Sequence, residues 1–250
     1  MRRGITEARV NENPSTPKSG YWRIAIMLKK ANKTKDTRKK LNAFGKELDF
    51  ASIEAYNLLR TNLTFSMPDK DSGRVIGVTS PCPEDGKSTT SINLAYVLAE
   101  AGHKVLLVDA DMRRPSIARS LELPMIPGLS NRLVENTENA VHLGILHENL
   151  SVLLAGDIPP NPSELIGSEK MKHFVDTARA DYDYVIFDLP PVNAVSDPLI
   201  MSKNVDGMIL VIRHAHTRRR DVSEAVRQLD LVGAKVLGFV YNGVYKASRG

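Results

Sequence analysis

Hydrophobic positions along this chain change period in a regular order. From Phe50 to Phe65 the residues Ile53, Tyr56, Leu59 and Leu63 recur at helical spacing and share one side. Val75–Thr79 is a short apolar run that enters a Pro/Gly loop, which predicts a strand. Thr89–Glu100 predicts a helix closed by Gly102, and Val105–Val108 a wholly apolar strand ending on Asp109. Val152–Leu154 predicts a strand, Glu169–Arg179 a helix, and Tyr184–Phe187 a second apolar strand ending on an aspartate, Asp188. Met208–Ile212, Arg218–Val232 and Val236–Val240 complete the series as strand, helix and strand. Strands this apolar, separated by helices, predict an α/β fold with a mostly parallel sheet covered by helices on both faces. In such sheets ligands bind outside the C-terminal strand ends. Ser80–Thr89, Asp109 and Asp188 all fall there.

The loop Ser80-Pro-Cys-Pro-Glu-Asp85-Gly86-Lys87-Ser88-Thr89 joins a strand to a helix and closes like a P-loop, although the first glycine of the general pattern falls at Pro81. Backbone N–H groups of such a loop and of the helix start can wrap phosphates, Lys87 can reach the β/γ-phosphates, and the Ser88 hydroxyl can ligate Mg²⁺. Asp109 and Asp111 stand at alternate positions after one strand, and Asp188 follows another. A hard cation that bridges phosphates takes oxygen ligands of this kind. Asp188 holds the Walker B position, and Asp109 suits either the metal or the proton of an incoming hydroxyl. An aspartate after a strand often only caps a helix. That reading suits any one of the three and explains poorly their coincidence with a P-loop.

Composition narrows the class. With 250 residues, 42% apolar and 25% charged, the chain has material for one large α/β domain or two small ones. A single cysteine, Cys82, excludes a disulfide framework and an iron–sulfur cluster held by this chain alone. No apolar run approaches the roughly 20 residues of a membrane span, so the expected location is cytoplasmic. The net charge of +5 is unevenly placed: residues 1–46 carry +10 and residues 47–250 carry −5. The basic character therefore belongs to the first 46 residues, and nucleic acid is not an expected partner of the domain. Residues 1–46 read as a basic, largely disordered leader and 47–250 as the P-loop domain. Within the leader, the apolar Tyr21–Leu28 precedes seven Lys/Arg between Lys29 and Lys40. Three readings stay open for that stretch: a flexible soluble leader, a contact with anionic lipid, where each cation contributes about 1 kcal/mol, or a docking segment for a partner.

These motifs resemble those of the bacterial tyrosine kinases of capsule and exopolysaccharide assembly. The resemblance runs from Leu48 to Tyr245 and rests on Pro83-Glu-Asp-Gly-Lys-Ser-Thr89, on Leu106-Leu-Val-Asp109-Ala-Asp111-Met-Arg113-Arg-Pro115 and on Val185-Ile-Phe-Asp188-Leu-Pro-Pro191. Similar too are Pro127-Gly-Leu129, Pro159–Leu165 and Asp206-Gly207. It implies a P-loop NTPase-like fold and ATP-dependent phosphorylation of tyrosine with Mg²⁺. By resemblance Asp85, Gly86, Lys87, Ser88, Thr89, Arg113 and Asn242 bind ATP. Ser88, Asp109 and Asp188 hold the metal, and Lys87, Asp109 and Asp111 carry the catalysis. The family's E-x-x-R-x-x-R helix motif, which joins neighbouring subunits into a ring, corresponds to Glu54, Asn57 and Arg60, with Asn57 in place of one arginine. The implied partners are a transmembrane polysaccharide co-polymerase that activates the kinase, further copies of the chain, and tyrosine-containing protein substrates. The implied location is peripheral, at the inner face of the cell membrane.

Two departures stand out. The family usually carries Gly-Glu-Gly-Lys where this chain has Glu84-Asp85-Gly86-Lys87, so weaker ATP binding is expected. The family's tail is a tyrosine cluster, and Tyr245–Gly250 holds none. That leaves either a continuation past Gly250 or another protein as the tyrosine substrate. Two rivals remain. One is a positioning ATPase of the ParA/MinD kind, whose signature lysine would stand at Cys82. The other is a weakly nucleotide-binding regulatory scaffold.

Overall fold

The computed structural model describes residues 25–29, 44–67, 72–135 and 140–244. The expectations for residues 1–20, for the basic run after Lys29 and for the tail after residue 244 lie outside the described residues. In chain order the elements are β1 (Ala25–Lys29), α1 (Phe50–Ser66), β2 (Arg74–Thr79), α2 (Lys87–Glu100), β3 (Val105–Asp109), α3 (Ile117–Ser120), α4 (Leu129–Glu135), β4 (Val141–Leu143), β5 (Leu150–Leu153), α5 (Pro162–Ile166), α6 (Glu169–Asp181), β6 (Tyr184–Asp188), α7 (Asp197–Met201), β7 (Gly207–Arg213), α8 (Arg219–Leu231) and β8 (Val236–Val244). The eight strands form one sheet in the order β1-β8-β7-β2-β6-β3-β5-β4. All neighbours are parallel except β4, which runs antiparallel at one edge.

Alternate residues of each strand feed two apolar layers. Ile186 of β6 packs with Ile76, Val78, Leu107 and the helices α1 and α2, whereas Val185 and Phe187 join Val108, Leu210 and helices α4, α6, α7 and α8. This period of two explains why the strands read as continuous apolar runs: both faces are covered. Every residue of α2 from Thr90 to Ala99 is buried, because α1 lies over it. Asp49 caps α1, its side chain accepting the Ser52 backbone N–H at 2.8 Å.

One boundary differs from expectation. Ala25–Lys29 falls inside the stretch read as a leader, yet β1 pairs in parallel with β8 along Ala25–Lys29 and Phe239–Val244. Strand β8 would otherwise end the sheet with unpaired N–H and C=O groups, and an adjacent apolar strand satisfies them.

Candidate active site

Sheet order brings the predicted residues together. Strand β6 lies between β2, which leads into the phosphate loop, and β3. In the register of β3 against β6, Asp109 stands opposite Asp188, and in that of β2 against β6, Val78 does. The two aspartates and the loop therefore meet at the C-terminal edge of the sheet.

The loop's shape rests on residues around it. Gly86 precedes α2 with φ +96°, and a Cβ there would lie 2.0 Å from Asn242 Nδ2, so a side chain is excluded. Asn242 Nδ2 in turn donates to the Asp85 carbonyl at 3.0 Å. The Asp85 carboxylate is fully buried and turned into the loop. It accepts the Cys82 N–H at 2.9 Å and the Thr217 hydroxyl at 2.6 Å, and it meets His216 Nδ1 at 3.1 Å. Asp85 and Asn242, both predicted to bind ATP, thus hold the loop's backbone in place with their side chains. Glu84 adopts φ +64°, the left-handed region where a glycine is at ease, and Arg213 donates to its carbonyl at 2.9 Å.

Within the loop's reach sits a buried acidic cluster. Lys87 Nζ lies 2.9 Å from Asp111 Oδ2 and 3.6 Å from Asp188 Oδ2. Asp109 Oδ1 accepts the Asp111 N–H, and Oδ2 accepts the N–H groups of Ser116 and Ile117, at 3.1–3.2 Å. Ser91 donates to Asp188 Oδ1 at 3.2 Å, whereas Asp188 Oδ2 is buried and makes no hydrogen bond. Ser116 donates to the Ser88 hydroxyl at 2.8 Å. Burial, reinforced by the Asp188 charge, pushes the Asp109 carboxyl up to about 7, against the pull of the Ile117 N–H and Lys87. Burial also raises the Asp188 carboxyl, against the pull of Lys87, Ser88 and Ser91. Burial alone would lower the Lys87 ammonium, but Asp188 and Asp111 outweigh it and hold it above its ordinary value.

Three buried carboxylates thus face one ammonium, an excess of negative charge in a region of low dielectric. A divalent cation suits this imbalance. Asp188 Oδ2, which makes no hydrogen bond and meets only Lys87 at 3.6 Å, together with Asp109 and the Ser88 hydroxyl, are the oxygen donors that Mg²⁺ prefers. Among the described residues no group of three or more His, Cys, Asp or Glu is set to hold a metal unaided. Phosphate oxygens and water would complete the coordination, as is usual for Mg²⁺.

An open cleft of about 970 Å³ lies over this cluster, lined by Gly86, Lys87, Ser88, Thr89 and Asp111 and extending to Arg114, Arg119 and Val195. Arg113 also borders it, but its guanidinium is engaged elsewhere. It donates to the fully buried Asp197 at 2.9 and 3.2 Å and to Ser163 at 2.9 Å, and Ser163 donates to Asp197 at 2.6 Å. Arg113 was expected at the nucleotide; burial of Asp197 without a cation would be costly, and that demand claims it. Sequence reasoning missed Asp197, Ser91 and Ser116. Asp197 begins the α7 sequence Asp-Pro, a helix-start signal, and Ser91 lies one helical turn after Lys87. On α1, Glu54 is exposed and receives Asn57 Nδ2 at 3.4 Å, whereas Arg60 donates inward to the Val97 carbonyl near the C-terminus of α2 at 2.9 Å. The structure therefore separates Glu54 and Arg60, one outward and one engaged within the chain.

Residues 74–233 match the family model described as an AAA domain. The chain is 42% identical over 192 residues to the tyrosine-protein kinase YwqD of Bacillus subtilis, a match covering 76% of this chain and 80% of that protein. The kinase domain of the Escherichia coli tyrosine kinase ETK superposes with a TM-score of 0.79 at 30% identity, covering 90% of this chain and 91% of that one. The septum site-determining protein MinD of Pyrococcus horikoshii, complexed with Mg-ADP, superposes with a TM-score of 0.58 at 24% identity over 71% of this chain and 73% of that one. That likeness extends to the fold.

Proposed function

We propose that this chain, which belongs to the bacterial tyrosine kinases, transfers the γ-phosphoryl group of ATP to tyrosine hydroxyls, its own or another protein's, in capsular or exopolysaccharide synthesis and export. The observation that carries this reading is the buried cluster of Lys87, Asp109, Asp111 and Asp188 against the phosphate loop. N–H groups at the start of α2 bind the β- and γ-phosphates, and Lys87 turns from Asp111 to the phosphate oxygens as they arrive. Ser88, Asp109 and Asp188 would hold Mg²⁺, which when bound would neutralise charge on the phosphates. The tyrosine phenol oxygen forms a bond to Pγ as the bond from Pγ to the β-phosphate oxygen breaks, releasing ADP. The phenol proton passes to the Asp109 carboxylate, which stands at the strand end beside the phosphate loop. Asp111 positions Lys87 for the nucleotide.

A membrane-bound co-polymerase as activator and further copies of the chain through the Glu54 face fit the same reading. So does a place at the inner face of the cell membrane. No helix among the described residues is long and apolar enough to cross a membrane. The test is incubation with labelled ATP, Mg²⁺ and a tyrosine peptide, using wild type and Lys87→Met. Phosphotyrosine that disappears in the variant is the expected result. ATP hydrolysis without phosphotyrosine would instead indicate a switch ATPase.

A further inference from the structure

The cleft extends past the phosphate loop, and its outer part has a chemistry the nucleotide does not explain. At about 970 Å³ it lies near the upper end of the range of roughly 300–1,000 Å³ for small-molecule sites. The loop after β3 and helix α3 contribute Arg114 and Arg119, both exposed. Among the described residues neither guanidinium has a carboxylate partner, in contrast to Arg113 beside them, which is held by Asp197. The loop after β6 contributes Pro190, Pro191, Ala194 and Val195. Both stretches follow directly from the strands that carry Asp109 and Asp188, so both border the reacting centre.

We infer that this outer cleft is the acceptor subsite, and that Arg114 and Arg119 select tyrosines flanked by anionic side chains. The inference rests on the kinase reading and names its substrate class. The apolar loop after β6 offers a surface for the tyrosine ring, while two unpaired guanidiniums offer bidentate donors to carboxylates or phosphates on neighbouring residues. The placement also offsets an electrostatic difficulty. An acidic segment approaching three buried carboxylates and a triphosphate is repelled, and two cations at the entrance reverse the local field. Glutamate-rich flanks and flanks already phosphorylated on tyrosine present the same anionic chemistry, and separate peptides distinguish them.

The experiment measures phosphoryl transfer by the full chain, with ATP and Mg²⁺, to four peptides: one tyrosine flanked by Glu, by phosphotyrosine, by Ala or by Lys. The expected result is a kcat/KM at least tenfold higher for an anionic peptide than for the Ala peptide, expressed in KM and weakened by salt. Arg114→Glu/Arg119→Glu should invert the order in favour of Lys flanks, and Arg114→Lys/Arg119→Lys should keep the order with a smaller ratio. Stabilisation of each variant by Mg-ADP in a melting assay checks that it is folded. Equal kcat/KM across flanks, or an order unchanged by the charge reversal, would overturn the inference. So would variants that lose ADP binding while keeping peptide preference, which would make the two arginines nucleotide ligands. Failure to label any peptide while the chain's own tyrosines are labelled overturns the inference and leaves the kinase reading standing; absence of both overturns the kinase reading too.

Discussion

Replacing Asp109 by asparagine should make the ligand-free protein more stable at alkaline pH while abolishing phosphoryl transfer. The Asp109 carboxyl is fully buried and pushed up to about 7, against 3.8 for a free side chain. A carboxyl whose folded value is raised retains its proton in the native state over a range where the unfolded chain has lost it. The contribution of this carboxyl to stability is therefore fully present below about pH 4, falls by about 1.4 kcal/mol per pH unit through the interval, and levels off above 7. Over the whole interval this approaches about 4 kcal/mol, shared with the neighbouring Asp188. Asparagine removes that loss but introduces another. Both Asp109 oxygens accept backbone N–H groups, so one amide NH₂ of asparagine must face a donor, at about 1–3 kcal/mol. The net gain at pH 8 is then about 2 kcal/mol, a rise of roughly 4 °C in Tm for a domain of this size. Urea titrations of both proteins from pH 5 to pH 8, without nucleotide or Mg²⁺, measure this. The slope is the decisive quantity, because the hydrogen-bond loss does not vary with pH. A stability difference between the two proteins that stays constant from pH 5 to pH 7 would refute the argument.

Four further outcomes follow from the same contacts. Glu84→Gly should strengthen Mg-ATP binding several-fold in calorimetry, because glycine accepts φ +64° without strain and removes a negative charge beside the phosphates; unchanged affinity would show that Glu84 does not weaken the site. Arg113→Ala should cost about 2–4 kcal/mol in urea unfolding by leaving buried Asp197 unpaired, and Asp197→Asn in the same background should recover part of it; a loss confined to nucleotide affinity would restore Arg113 to the nucleotide. Removing residues 1–43 should expose the edge of β8 and promote self-association in light scattering, whereas a purely peripheral leader predicts no change. Arg60→Ala should cost about 1 kcal/mol through the lost bond to the Val97 carbonyl; an altered oligomer with unchanged monomer stability would place Arg60 at an interface instead.

The parts of this molecule that were legible in its sequence are those whose information is local. Strands β2, β3, β6, β7 and β8 show as apolar runs because helices cover both faces of the sheet, and α1, α2, α6 and α8 are long enough to display a helical period. Helices α3, α5 and α7 span four or five residues, about one turn, too few to repeat a pattern. The Tyr21–Leu28 run was visible, but not its destination, since pairing of β1 with β8 joins residues more than 200 apart. The same limit applies inside the site. Lys87 is legible from the phosphate-loop pattern and Asp109, Asp111 and Asp188 from strand ends, whereas Arg113–Asp197 and Asp85–Thr217 span 84 and 132 residues with no motif linking them. Local pattern identifies which residues stand at strand ends; only the order of strands decides which ends are neighbours. Placing β6 between β2 and β3 sets Asp188 beside both the phosphate loop and Asp109. That adjacency concentrates three carboxylates around a single lysine: it reinforces the burial that raises the Asp109 carboxyl, and it underlies the fit to a divalent cation and the instability predicted for the ligand-free protein.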